Sequence, residues 1–268
     1  LDPLMIFGVG PFPKIGVAGA ALATVLAQGI VTGVFFLASR QETTLFPHIH
    51  VLRPSHRRAW GEMLRIGLPV SIQSMFFSSL SMLISRIVAG WGDAAIAAQK
   101  VGTQIESISY TTAEGFATAV NAFVAQNYGA KKVERIRRGY WTAIGMIFAW
   151  SCFTTVMLVV FPAPLFRIFI QEEEVLNIGV SYLRIMGYSQ ILMCLEITSS
   201  GAFQGMGRPM PPTLAGVIGN ALRIPMAVVL SATVLGLDGV WWSISISSIA
   251  KGVVVFTWFI VVLRRLTS

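Results

Sequence analysis

Nine ionisable residues stand within or at the ends of long apolar stretches: Asp2, Arg86, Lys100, Glu106, Glu114, Arg184, Glu196, Arg223 and Lys251. A charge at membrane depth is costly unless it is paired or faces water, so such groups are candidate functional residues by default. The chemistry open to them is ion exchange. A carboxylate that trades a cationic partner for a proton or another cation links one charge movement to a second. Glu106 and Glu114 are eight residues apart, roughly 80° around a helix, and share a broad face. Lys100, Ser107, Glu114 and Asn121 recur at sevens and form a narrower polar stripe, which on an apolar helix faces protein or water rather than lipid. Two readings of that stripe stand side by side: a working cation or proton site with Glu114 as its chief member, or a structural seam in which Lys100 neutralises a carboxylate. Gly115 permits a local bend beside Glu114. Glu114 and Lys251 each fall about 18 Å from one membrane face, so they are candidate partners. Arg184 and Glu196 lie twelve residues apart on one predicted helix, too far for an i,i+4 pair, and each needs a partner elsewhere. Arg86, near a span end, reads as a snorkelling side chain.

The elements that position these groups are set by the solvent. The chain has 268 residues, of which 54% are hydrophobic and 12% charged; a soluble domain carries about 25% charged residues. Residues 15–39, 66–85 and 139–166 hold no charge, and roughly 20 apolar residues in a helix cross a bilayer. The alternation of a membrane β-barrel is missing, so an all-α polytopic membrane protein is expected. Apolar runs place spans at about 16–38, 63–88, 94–127, 139–162, 176–200, 208–230 and 239–263.

The net charge of +8 follows topology rather than nucleic-acid binding. Alternate links carry Arg40, Arg53, Arg57 and Arg58; Lys131, Lys132, Arg135, Arg137 and Arg138; Arg208; and Arg264 and Arg265, outnumbering acids such as Glu42 and Glu134. The links between them hold Asp93, Glu172, Glu173, Glu174 and Asp238, with Arg167. Positive charge marks the cytoplasmic side, which puts the basic links and the C-terminus there and no nucleic acid among the partners. Cys152 and Cys194 both fall within spans, a setting that favours neither a disulfide nor a metal site. His48, His50 and His56 read as polar residues of the link 40–61.

An internal repeat is also visible. GVAGAALATVLAQGIVTGVFFL (16–37) aligns without a gap on GVWWSISISSIAKGVVVFTWFI (239–260), and LDPLM (1–5) lies one residue from the same register against RIPMA (223–227). Parallel repeats of this kind build many transporters. Residues 1–38 are then the end of a first lobe (the end of a fifth helix, then a sixth), 39–61 a cytoplasmic inter-lobe linker, and 62–268 a second lobe of six helices. On this reading the rest of the first lobe is a missing partner of the same chain.

LDPLMIFG (1–8), GVAGAALATVLAQ (16–28), LRIGLPVSIQ (64–73), GFATAVNAFVAQNYGAKKVERIRRGY (115–140), GAFQGMGRPMPP (201–212) and NALRIP (220–225) together resemble the multidrug and toxic compound extrusion (MATE) transporters. FVAQNYGA and GAFQGMGRP are the most specific pieces, and the resemblance runs from the end of a fifth helix through a twelfth. It implies a twelve-helix antiporter in the plasma membrane that exports organic, often cationic, compounds in exchange for H⁺ or Na⁺. That coupling ion takes the place of any cofactor, and the activity is not enzymatic. It also implies that Asp2, the acid of an N-x-x-x-D-P stretch, belongs to a cation or proton site of the first lobe. The matching stretch Asn220–Pro225 has Arg223-Ile224 where the acid would be, so the two lobes differ electrostatically. Some sodium-coupled relatives carry an acid on the helix of GLPVSIQSMFFSS, where this sequence has Phe77. Gln73, Ser74, Ser78 and Ser81 remain to line a cavity. Asp2, Glu106, Glu114 and Glu196 are thus the coupling candidates. Gln73, Lys100, Asn121, Arg184, Asn220, Arg223 and Lys251 are the candidates for the cavity or its charge partners. Two alternatives are a lipid-linked precursor flippase of the wider superfamily and a non-transporting membrane scaffold.

Overall fold

A computed structural model of the protein describes residues 5–6, 16–41 and 57–267. Its described residues fall into two compact units, Leu1–Arg57 and Arg58–Ser268. Asp2 and the three histidines lie outside the described residues. The regular elements are all helices, in keeping with the polytopic all-α fold expected. The first unit contains α1 (Val17–Gln41). Gly19 gives that helix a close approach to the Met5 carbonyl, which a Cβ would meet at 2.5 Å.

The second unit runs through α2 (Arg57–Ala89), α3 (Asp93–Gly129), α4 (Val133–Val160), the short α5 (Pro162–Arg167), α6 (Glu173–Gly187), α7 (Gln190–Gly205), α8 (Met210–Ser231) and α9 (Leu237–Thr267). Among the described residues, α1, α4, α8 and α9 are single helices long and apolar enough to cross a membrane. α3 is 37 residues long, but its hydroxyls, amides and ionisable groups make it too polar to qualify by hydropathy alone. The apolar part of α2 is Ser74–Ala89.

The expected continuous span at 176–200 is instead broken. α6 and α7 meet at a 53° bend around Tyr188–Ser189. A break at membrane depth strands backbone carbonyls, which neighbours must satisfy. Ser245 of α9 donates to the Ile185 carbonyl at 3.0 Å, Thr155 of α4 donates to the Gly187 carbonyl at 3.3 Å, and Ser189 caps Met186 at 2.9 Å. Tyr188 stacks on Trp242 at 6.0 Å. The bend is a supported feature of the fold.

Small residues draw the helices together. Gly201 and Gly205, one turn apart on α7, face the backbone of Ala117 and Asn121 on α3, where any Cβ would collide with a carbonyl. Such spacing lets membrane helices touch through their backbones. The following turn closes with Gly207 at φ +68°, its Arg208 N–H reaching the Phe203 carbonyl at 3.0 Å. Gly suits that left-handed position because it lacks a Cβ. Two apolar cores result. One centres on Trp241, Tyr182 and Phe166; the other centres on Tyr140, Phe203 and Phe259.

Candidate functional site

The inward face of α3 carries the small residues Ala95, Ala98, Gly102 and Ser109, with Ile105 among them. Because Gly102 has no side chain, the Tyr182 ring of α6 lies directly against α3, in the space a Cβ would fill. Trp241 holds that ring edge-on, with centroids 4.8 Å apart. The Tyr182 hydroxyl then sits 3.2 Å from Thr103 Oγ1 and donates to Glu106 Oε2 at 3.2 Å. Gln190, the first residue of α7 after the bend, reaches Glu106 Oε1 at 3.5 Å. The broken span therefore supplies both donors to this carboxylate.

A second carboxylate lies further along α7. Glu196 pairs with Lys251 of α9 at 3.4 Å, and each side chain is only 11% exposed. Gly219 makes this possible, because the Lys251 stem crosses α8 where a Cβ at 219 would stand. One turn on, Arg223 donates from Nε to Ser247 Oγ at 2.6 Å and from Nη2 to Ser248 Oγ at 2.8 Å. Its charge is felt by both Glu106 and Glu196. Two carboxyl groups and two basic groups from four helices thus gather in one region, with Glu196 and Lys251 as its ion pair. Buried ion pairs of this kind hold only while every partner is present. Among the described residues, the buried Gln190 Oε1 and Asn220 Oδ1 have no donor, leaving acceptor capacity beside the charges.

The sequence candidates divide accordingly. Glu106, Glu196, Arg223 and Lys251 come together, with buried Asn220 three residues before Arg223. Glu114 is exposed on α3. It lies one turn after Tyr110 on the same helix. The expected pairing of Glu114 with Lys251 does not form. α9 packs on α7 and α8, so the ammonium meets Glu196 first. Lys100 and Arg184 are exposed and Asn121 is half-buried; among the described residues no ion pair ties Lys100 or Arg184 to the cluster. The Gln73 side chain lies outside the described residues, and Ser74, Ser78 and Ser81 are exposed on α2. Cys152 and Cys194 are free. No group of His, Cys, Asp and Glu suited to a metal ion occurs among the described residues. Sequence reasoning did not single out Tyr182, Gln190, Ser247 or Ser248. The run SISISS at 243–248 was the available sign, since hydroxyls repeated along a span need partners.

A family model described as MatE matches residues 69–229. The chain is 32% identical over 251 residues to the "Probable multidrug resistance protein NorM" of Thermotoga maritima, covering 90% of this chain and 52% of that protein. It is 23% identical over 255 residues to the "FAD transporter" of Shewanella oneidensis, covering 94% of this chain and 56% of that protein. Among solved structures, a MOP superfamily transporter from Pyrococcus furiosus, described as having a binding pocket of reverse polarity, matches with a TM-score of 0.85 at 25% identity, over 100% of this chain and 60% of that chain. The chain spans about half the length of the curated relatives it matches.

Proposed function

The chain belongs to the MatE family, and on that premise we propose that it forms part of a secondary multidrug exporter of the plasma membrane. Organic cations leave in exchange for H⁺ or Na⁺ by alternating access between two lobes. Residues 1–38 end the first lobe, 39–61 link the lobes on the cytoplasmic side, and 62–268 form the second. The basic links and the C-terminus face the cytoplasm. The partners are the bilayer, the exported organic cations and the remaining helices of the first lobe, with Asp2 contributing to a site there. The family is one of transporters, and the naming of relatives for multidrug resistance supports drug export over the flippase alternative.

The observation that carries the coupling role is the gathering of Glu106, Arg223, Glu196 and Lys251, with Glu196 and Lys251 paired. With both carboxylates ionised the four charges match; protonating one carboxyl group adds a positive charge, and an entering cation then leaves the total unchanged only if that proton departs. Protonating Glu196 in turn weakens its hold on Lys251 and frees that ammonium to move. Gln190 Oε1 and Asn220 Oδ1, both without donors, suit an incoming cation. Glu114, exposed at the edge of the cluster, is the entry carboxylate.

The test is pH- or Na⁺-driven efflux of a fluorescent cation by the full-length protein. Glu106→Gln and Glu196→Gln should each cut initial rates at least tenfold while the protein still reaches the membrane, and Glu114→Gln should reduce them less. Wild-type rates in both Glu106→Gln and Glu196→Gln would remove the cluster from the coupling mechanism.

A further inference from the structure

Coupling through Glu106 requires that its proton have a way in and out, and two hydroxyls stand in file beside it. Thr103 Oγ1 lies 2.8 Å from the Gln99 carbonyl and 3.2 Å from the Tyr182 hydroxyl, which in turn lies 3.2 Å from Glu106 Oε2. At the inner end, Glu106 Oε1 accepts from the buried Gln190, which leaves Oε2 for Tyr182. The Tyr182 ring itself is buried. At the outer end, Thr103 is exposed on α3. Between residues 100 and 114, a roughly 100° arc of that helix holds Lys100, Thr103, Gln104, Ser107, Thr111 and Glu114 and no apolar residue. All but the half-buried Ser107 are exposed. A wholly polar arc on a membrane helix does not face lipid, so Thr103 opens on the side from which water comes.

Counting protons shows what the file can do. A hydroxyl donates one proton and accepts others. With Glu106 protonated, each of the three contacts holds one proton, all pointing outward: Glu106 donates to Tyr182, Tyr182 to Thr103, and Thr103 to the Gln99 carbonyl. With Glu106 ionised, two protons remain. Tyr182 then donates to Glu106, and the file stays joined once Thr103 turns from the Gln99 carbonyl to Tyr182. That carbonyl can release it, because it belongs to the backbone ladder of α3. The two protonation states of Glu106 are therefore two directions of one hydrogen-bonded chain.

We propose that Thr103 and Tyr182 form a two-hydroxyl relay that carries protons between Glu106 and the open polar face of α3. Inward, hydronium gives a proton to Thr103 Oγ1 and leaves as water. The former Thr103 proton passes to the Tyr182 oxygen, and the former Tyr182 proton passes to Glu106 Oε2. One proton enters, one is bound at Glu106, and both hydroxyls end neutral with their directions reversed. The reverse sequence releases the proton. The charged and titratable groups around Glu106 are Tyr182 of α6 and Arg223 of α8. Lys251 of α9 and Glu196 of α7 are paired with each other, while Lys100 and Glu114 stand on the open face of α3. The relay rests on the reading of Glu106 as a coupling residue and names the route by which its proton travels.

The experiment places the full-length transporter in lipid nanodiscs and follows the infrared C=O band of the protonated Glu106 carboxyl, identified by its loss in Glu106→Gln, after a downward pH jump. Tyr182→Phe keeps the ring against Gly102 and Trp241, and Thr103→Val keeps the shape of an exposed side chain. Each should slow the rise of the band at least about tenfold, and Thr103→Ser should restore most of the rate. A wild-type rate in either Tyr182→Phe or Thr103→Val would overturn the relay. The Thr103 variant is decisive, because Thr103 reaches Glu106 through Tyr182 and a hydroxyl that merely positions the carboxyl would not need it. The lack of any Glu106 band across the pH range in which the protein stays folded would overturn the relay as well. Efflux separates this inference from the reading beneath it. Wild-type export by Glu106→Gln, together with slowed bands in the two relay variants, would leave the relay standing and remove Glu106 from coupling.

Discussion

Lys251 depends on a glycine. Its stem crosses α8 only because position 219 carries no side chain, and its ammonium ends on Glu196, both groups 11% exposed. Removing one partner of such a pair leaves an uncompensated charge, at about 3–5 kcal/mol. Lys251→Met is therefore expected to lower the melting temperature of the purified full-length protein markedly. Combining it with Glu196→Gln should recover much of the loss, because the stranded carboxylate is gone; a double variant as unstable as the sum of the two singles would refute the pairing. Gly219→Ala should destabilise by about 1–3 kcal/mol by displacing the stem. Glu114→Gln, at an exposed site, should shift stability by less than about 0.5 kcal/mol. The four charges were legible in the sequence because ionisable residues inside apolar runs are conspicuous. Their partners were not. Reading depth alone matched Lys251 to Glu114, whereas the packing of α9 on α7 and α8 delivers it to Glu196.

At the level of elements, the bend between α6 and α7 decides which residues meet. It turns Gln190 towards Glu106 and sets Tyr182 and Glu196 on different segments of one span. Its carbonyls are held by hydroxyls from α4 and α9. Replacing both, as Thr155→Val with Ser245→Ala, should cost about 1–2 kcal/mol in total and speed hydrogen exchange around residues 185–190. Unchanged protection there would show that the bend holds without them. Gly201→Leu should be far more damaging, since its side chain would enter the α3 backbone at Ala117, and the expected outcome is loss of folded protein by size-exclusion chromatography. The run 176–200 reads as one span because apolar composition reports only that a segment belongs in the membrane. A break supported from neighbouring helices leaves composition unchanged.

For the whole molecule, alternating link charge predicts which ends share a side. In intact cells expressing the full-length protein, a membrane-impermeant maleimide should label Glu173→Cys and Asp238→Cys from outside. Lys132→Cys and Arg265→Cys should label only after permeabilisation, and Cys152 and Cys194, inside spans, should stay unlabelled. Labelling of Lys132→Cys in intact cells would invert the topology. Composition determined the solvent, and with it the all-helical polytopic fold, because a bilayer admits few ways to satisfy a backbone. Motifs such as FVAQNYGA and GAFQGMGRP pointed to the family, and the glycines of GAFQGMGRP prove to be close contacts and a turn. Tertiary structure alone decided which carboxylate Lys251 meets and that a broken span supplies the hydrogen-bond donors of Glu106. Those outcomes depend on helix rotation and crossing, fixed by side chains distant in sequence that must occupy the same space.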